Sequence, residues 1–358
     1  MISSLRRPMS QVTCNGVVLP ACLSWRVEQS IHFSADTFEV ELAVAALQPP
    51  YDLNWLLSQS EMVIEIRAGL SSIGQLETAD PQGALISLIK GPVDSLSFNP
   101  RTGVIALSGR DLSARFLDQR IDLGLRNRSA SDVLTELAAK HGLQAKITAP
   151  SEPVGLFYNI DWNRLSGRRT EWDLICGLAQ ECDALVFMTG ETLVFTPKPR
   201  ASDAQTFPVA YGSSSDLGQG VSVLDLTFQK SIRYGAGGTV EVASWNARRK
   251  QAYRSLSTYG APGAAASSYR LTTPGLTQDQ VAQFAATVAR GLAEQAASLN
   301  IRLPADLALD PRGLIALTGV NPFVDGLYQC AATSWSLSRE EGFLMTLDAR
   351  SLAQEDAA

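Results

Sequence analysis

Over the first hundred residues, apolar and polar positions alternate with a period of two. Phe38, Val40, Leu42 and Val44 are apolar, while Glu39 and Glu41 between them are charged. That is the pattern of a strand with one face in a core. Trp25 and Val27 alternate in the same way with Arg26 and Glu28. Asn99-Pro100-Arg101-Thr102-Gly103 reads as a turn between two strands, and Ser71 to Gly83, which lacks apolar periodicity, as a long hairpin loop. Residues 1–118 are therefore expected to form one antiparallel β-domain, a small barrel.

The period then changes. Ser129-Ala130-Ser131-Asp132 puts a hydroxyl at an N-cap and a carboxylate three residues on; Val133, Leu134, Leu137 and Ala138 share one helical face, and Gly142 ends it. Thr170-Glu171-Trp172-Asp173 repeats the arrangement, with Leu174, Ile175, Leu178 and Ala179 following and Asp183 in the place of Gly142. Asp173 stands 41 residues after Asp132, and each segment runs into an expected strand, Leu143 to Ile147 and Ala184 to Phe187. A turn over Met188 to Thr192 leads to the strand Leu193-Val194-Phe195, and Pro197 and Pro199 close the region. Residues 119–200 thus read as an α+β insert of two related helix–strand units.

Beyond residue 205 strands return. Val221, Val223, Leu224, Leu226 and Phe228 alternate imperfectly, and runs at Ile232 to Tyr234 and Val240 to Trp245 follow. Residues 259–268 read as a flexible loop. A third capped helix opens at Thr277-Gln278-Asp279-Gln280 and carries Val281, Phe284, Ala285, Val288, Leu292 and Ala296 at helical spacing. Residues 201–358 are expected to form a second β-barrel with this long helix at about 277–298.

One pattern occurs twice. Val63, Ile64 and Ile66 lead to Gly69, after which Gly91-Pro92-Val93-Asp94 precedes the run Gly103 to Asp111; Leu314, Ile315 and Leu317 lead to Gly319, after which Gly326-Leu327-Tyr328 precedes Gly342-Phe343-Leu344-Met345-Thr346-Leu347-Asp348. Each copy reads as a strand ending in glycine and then a hairpin. The fold class expected is β-rich α+β, with two small antiparallel barrels flanking the insert.

Composition narrows the function. The 358 residues carry a net charge of −6 and are 45% hydrophobic, which describes an ordinary globular chain without a basic surface built to grip nucleic acid. The basic stretches Arg164 to Arg169 and Arg248-Arg249-Lys250 are short enough to be solvated loops or strand ends. No apolar run approaches a bilayer span, and the N-terminus lacks a secretory core, so folding in the cytoplasm is expected. Cys14, Cys22, Cys176, Cys182 and Cys330 have neither CxxC spacing nor a histidine pair beside them, so they read as thiols rather than a zinc site. The two histidines, His32 and His141, leave little for histidine-based catalysis, and His141 reads as meeting the last carbonyls of a helix.

Other candidate chemistry gives way to simpler accounts. Glu171 and Asp173, with Asp161 and Glu181 nearby, could form a glycosidase pair, but acids in the first turn of a helix are explained by its exposed amides. Ser108-Gly109-Arg110-Asp111 lacks a nucleophile elbow and reads as a salt-bridged corner at a strand end. Gly235-Ala236-Gly237-Gly238 lacks the Lys-Ser/Thr of a phosphate loop and opens a strand. No catalytic residue, metal ligand or cofactor is expected.

Taken in order, these segments resemble the tail hub proteins of contractile-tailed bacteriophages, the phage late control protein D family, which is related to the hub part of type VI secretion spike proteins. The resemblance lies in Ala35 to Val40, Val63 to Gly69, Gly91 to Asp94, Ser108 to Ala114, Trp172 to Ile175, Gly190 to Phe195, Asp325 to Tyr328 and Gly342 to Thr346, together covering most of the chain. Two departures stand out: Trp335 occupies a position where many members have histidine, and no lysozyme-like or needle-like domain follows residue 350, so membrane piercing would need a separate spike.

The resemblance implies a structural homotrimer of the virion tail baseplate, assembled in the host cytoplasm. Two barrels per chain would form a pseudo-sixfold ring joining a sixfold tube to a threefold spike. Implied partners are a second and third copy of the chain, a tail tube or tube-initiator protein, the central spike, and the tape-measure protein in the lumen, with phage DNA passing transiently. The interaction candidates are Gly69, Gly91, Asp94, Ser108, Gly109, Arg110, Asp111, Gly319, Gly326, Tyr328, Gly342 and Phe343. The competing expectations are a cell-wall hydrolase or glycan-binding tail module, and a type VI secretion spike hub.

Overall fold

The computed structural model describes residues 6–72, 85–121, 129–148, 170–201, 205–212, 221–246, 249–260 and 267–352. The first module contains β1 (Arg6–Cys14), β2 (Val17–Val18), β3 (Cys22–Ser30), β4 (Thr37–Ala43), β5 (Val63–Ser72), β6 (Ile86–Asn99) and β7 (Val104–Arg110), hydrogen-bonded in the order β2-β1-β5-β6-β7-β4-β3. The alternation noted in the sequence is realised in β4, where Phe38, Val40 and Leu42 are buried and Glu39 and Glu41 exposed. Asn99 to Gly103 is the turn joining β6 to β7, with the Gly103 amide donating to the Asn99 carbonyl.

The first insert holds helices Ala130–Lys140 and Glu171–Glu181, together with β8 (Gln144–Ile147), β9 (Ala184–Thr189) and β10 (Thr192–Pro197). Both helices open on capping boxes, Ser129 with Asp132 and Thr170 with Asp173, and their starts lie 41 residues apart. Gly142 and Asp183 take positive φ at the matching C-terminal positions. Asn- and Asp-type side chains tolerate that conformation better than most, so Asp183 can stand where the first unit uses glycine. Their strands differ in direction: β8 lies parallel to β10 and β9 antiparallel to it.

The second module comprises β11 (Thr206–Ala210), β12 (Val221–Ser222) and β13 (Asp225–Lys230), then, after β14 (Gly238–Asn246), β15 (Gln251–Tyr259) and β16 (Ser267–Thr272), β17 (Ala297–Pro304), β18 (Leu314–Thr318), β19 (Gly326–Ser338) and β20 (Gly342–Ser351). Its order is β12-β11-β18-β19-β20-β17-β13. This repeats the first module strand for strand, with β5, β6, β7, β4 and β3 matched by β18, β19, β20, β17 and β13.

The match extends to register. The long strands β6 and β19 each pair with the preceding strand through their first half and the following strand through their second, and each carries a bulge between, at Asp94 and at Ala331. Counted from the bulges, Gly109 matches Ala349. Phe38, which pairs with Gly109, then matches Leu299, which pairs with Ala349. One strand further out, Val27 opposite Phe38 matches Phe228 opposite Leu299. In each module a two-part segment, 17–30 or 221–230, meets the first strand at one end and the fourth-placed strand of the chain order at the other.

The copies differ in two respects. β11 runs parallel to both β12 and β18, so the second module is not wholly antiparallel as the sequence suggested. The link from β3 to β4 is residues 31–36, whereas the equivalent link from β13 to β17 is residues 231–296 and holds β14, β15, β16 and the helix Gln278–Ala293, with a separate core around Val240, Val242, Val281 and Ala285.

The modules share one 14-stranded sheet, because β3 pairs with β4 on one edge and with β19 on the other, from Ala332 opposite Ser30 to Ser338 opposite Ser24. A common core spans them, with Trp335 fully buried and its ring 6.2 Å from that of Phe343, which in turn sits 5.6 Å from Trp25. The indole of Trp335 donates to Gln29 at 3.0 Å.

Three expectations are corrected. Ile232 to Tyr234 form a helical turn, not a strand, because Ser231 caps it by accepting from the Tyr234 amide. Part of 259–268 belongs to β15 and β16, and residues 261–266 lie outside the described residues. Gly69 does not end its strand: Met9 pairs opposite it, and the ladder continues past it to Ser72. Most of the expected hairpin loop at 71–83, and the basic stretch 164–169, lie outside the described residues.

Candidate functional site

The twice-used motif places its first copy where β6 crosses β7. The Ser95 and Ser108 hydroxyls meet across this ladder at 2.8 Å. At the bulge the two backbones approach so closely that a Cβ on Gly91 would lie 1.9 Å from the Arg110 carbonyl oxygen, and one on Gly109 would lie 2.1 Å from that of Pro92. No side chain fits at either position, which is the physical reason for both glycines. The bulged Asp94 turns outward and takes Arg110 in a bidentate pair, at 2.7 and 2.8 Å, with Asp118 at 3.5 Å. Hydrogen bonding to Asp94 raises the Arg110 guanidinium further above its ordinary range.

Asp111, the next residue, points inward. It does not pair with Arg110; its carboxylate accepts from the Ser113 amide at 3.1 Å and from the Ser113 hydroxyl. Asp36 lies close by and forms a buried pair with Arg312 of the second module, at 2.5 Å. The Arg312 guanidinium also lies over the ring of Phe187 in the first insert, 4.2 Å from its centroid. Burial, and then the charge of Asp36, push the Asp111 carboxyl up to about 7. Burial raises Asp36 as well, against the pull of Arg312. First module, second module and insert therefore meet on one buried cluster of two acids and one cation.

The insert is held against this corner by further contacts. The Trp172 indole donates to the Phe33 carbonyl at 2.7 Å, and Lys90 pairs with Glu191 at 2.6 Å. Glu171 is wholly buried, taking Lys140 on one oxygen and His141 on the other, both at 2.5 Å. It joins the end of one insert helix to the start of the next, while Asp173 serves the capping box. Among the described residues, neither Glu171 nor Asp173 faces a partner carboxylate across a cleft; Asp161 lies outside the described residues.

In the second copy, Gly319 turns the chain after β18 at φ +89, and a Cβ there would meet the Tyr211 carbonyl oxygen at 2.3 Å. Asp325 accepts from the Gly319, Val320 and Asn321 amides, fixing the loop that returns to β19, which Gly326 opens opposite Leu317. The Tyr328 hydroxyl donates to the Val324 carbonyl at 2.6 Å. Gly342 takes the positive φ of the β19–β20 turn, and Phe343 after it packs into the shared core. Ser108 to Asp111 are contiguous in the sequence, whereas Asp36 and Arg312 stand 276 residues apart and no local pattern joins them.

Among the described residues no group of histidine, cysteine and acidic side chains is arranged to hold a metal, and no helix is long and apolar enough to cross a membrane. Burial pushes the Cys14 and Cys22 thiols up to about 11 and those of Cys176 and Cys330 up to about 12. They are protonated and poorly nucleophilic near neutral pH.

Comparison with solved structures places this fold. A tail protein from Neisseria meningitidis MC58 is similar over 98% of this chain and 99% of its own, with a TM-score of 0.67 at 13% identity. The 43 kDa tail protein of prophage MuSo2 from Shewanella oneidensis is similar over 95% of this chain and 97% of its own, with a TM-score of 0.66 at 14% identity. An Escherichia coli component of the type VI secretion system, itself structurally similar to the T4 bacteriophage tail proteins gp27 and gp5, gives a TM-score of 0.54 at 13% identity, over 97% of this chain and 78% of its own. No protein-family model matches the chain, and no curated protein is similar to it in sequence. The likeness is one of fold, and at that level it agrees with the resemblance drawn from the sequence.

Proposed function

We propose that this chain is a structural component of a phage-type tail baseplate, a hub whose three copies form a pseudo-sixfold ring between a sixfold tube and a threefold spike. The observation that carries the reading is the repetition of one strand order, in one register with one bulge, in both modules of a single β-sheet. Two equivalent modules per chain become six around a threefold axis. Each module is read as a small barrel, its two-part segment closing the sheet upon itself, and the chain as three domains over residues 1–118, 119–200 and 201–358. The tube or tube-initiator protein and the spike are the partners above and below, with the tape-measure protein in the lumen. Contacts of this obligate kind typically bury on the order of 2,000 Å² or more.

The reading assigns no catalysis. The Gly91–Gly109 crossing and the Asp94–Arg110 pair brace the first module, the Asp36–Arg312–Asp111 cluster joins the modules, and Glu171 is already occupied by Lys140 and His141. A spike hub of a type VI system is the second reading, favoured by the likeness to the Escherichia coli component. Mass measurement in solution and electron microscopy of the isolated protein test the ring: a trimer with a central hole is expected. A stable monomer, unchanged by added tube and spike proteins, overturns the proposal.

A further inference from the structure

The internal joint between the modules also defines what is missing at their outer edges. Within the chain, β3 of the first module lies against the second half of β19 in the second. The equivalents of these two strands are β13 and the second half of β6. Among the described residues, β13 pairs only with β17, and Ser95 to Asn99 only with β7. Among the described residues, each chain thus presents two open strand edges, one on each module, that correspond to the two edges already joined inside it.

Side-chain exposure follows the same division. Trp335 on β19 is 1% exposed; Phe98, which holds its place counted from the bulge, is 36% exposed. Trp25 and Val27 on β3 are buried, whereas their equivalents Leu226 and Phe228 on β13 are only half-buried. The apolar alternation that the inner joint covers is repeated at the outer edges and left uncovered. Open edges carrying such residues are templates for pairing with another chain.

We propose that β13 of one copy pairs antiparallel with Ser95 to Asn99 of the next, reproducing the β3–β19 joint between molecules. The occupant of each edge is a second copy of this chain, and the inference rests on the trimeric reading above. Carrying the internal register across gives the partners. Ser334 faces Glu28, so Ser97 faces Gln229; Trp335 faces Val27, so Phe98 faces Phe228. Phe98 against Phe228 is an aromatic cross-strand pair, a favourable neighbour on a sheet face. Two residues beyond Asn99, the turn residue Arg101 comes opposite Asp225, placing opposite charges together. Three such joints and three internal ones make six equivalent joints and leave neither of these edges free.

Paired cysteines test this. Ser97 and Gln229 are exposed, so Ser97→Cys with Gln229→Cys alters no core contact. Under mild oxidation the double variant is expected to give covalent dimers and trimers on a denaturing gel, and each single variant none. A control of Ser97→Cys with Asp225→Cys, four residues out of register, is expected to link at least tenfold more slowly. If the protein is trimeric by mass but the first pair does not link, or links no faster than the control, the joint is overturned while the hub reading stands. If the protein is a stable monomer, the hub reading itself fails and the joint with it.

Discussion

Asp111 shows how one residue can be legible in identity and illegible in role. Its place in Ser108-Gly109-Arg110-Asp111 suggests a salt bridge with its neighbour, yet strand alternation sends Arg110 outward to Asp94 and Asp111 inward beside Asp36. Because the folded chain holds the Asp111 proton up to about pH 7 while an unfolded chain releases it near the ordinary ~3.9, the folded state carries an extra proton between those values. Stability is therefore expected to be highest below about pH 4 as far as this group is concerned, and to fall as pH rises toward 7. The fall is at most about 1.4 kcal/mol per pH unit. Urea denaturation of Asp111→Asn from pH 4 to 8 checks this: the variant loses that slope, and an unchanged slope contradicts the assignment.

At the scale of elements, the glycine pair at the β6–β7 bulge is the sharpest constraint. Gly109→Ala forces a methyl group onto the Pro92 carbonyl and the Phe38 ring, neither of which can retreat, so a loss of about 1–3 kcal/mol or more is expected in chemical denaturation. Gly177→Ala serves as comparison, since a Cβ there would meet nothing within 4 Å. Elements with strong local signals were readable from sequence: the β4 alternation, and the Thr277–Gln280 capping box that opens the long helix. β15 was not, because between Tyr253 and Tyr259 its inward positions are Ser255 and Ser257 while the apolar Leu256 faces outward, so its alternation in burial is not an alternation of apolar and polar residues. The buried cluster was beyond reach for another reason: Asp36 and Arg312 are brought together only by the β3–β19 pairing. The motif glycines were visible, but their meaning depends on which strand crosses which.

At the scale of the whole molecule, the two modules behave as one part made twice, and the proposed ring follows from repeating the joint between them. Phe98→Asp puts a charge where an aromatic pair is expected, on a residue that is 36% exposed in the single chain. Its melting temperature is expected to stay close to that of the unmodified chain at concentrations where both are monomeric. Dissociation of the trimer, followed by mass photometry on dilution, is expected to strengthen by tenfold or more, about 1.4 kcal/mol. An unaffected trimer argues against the edge. The long link at residues 231–296, where the other module has only residues 31–36, adds a last consequence. In the proposed ring it would mark every second position, like alternate teeth on a gear. A tube with sixfold repeat is blind to a turn of 60°, so it engages such a gear in any phase. A threefold spike that touches the marked teeth accepts only every other phase, and the ring would then set the angular clock between the two ends of the tail.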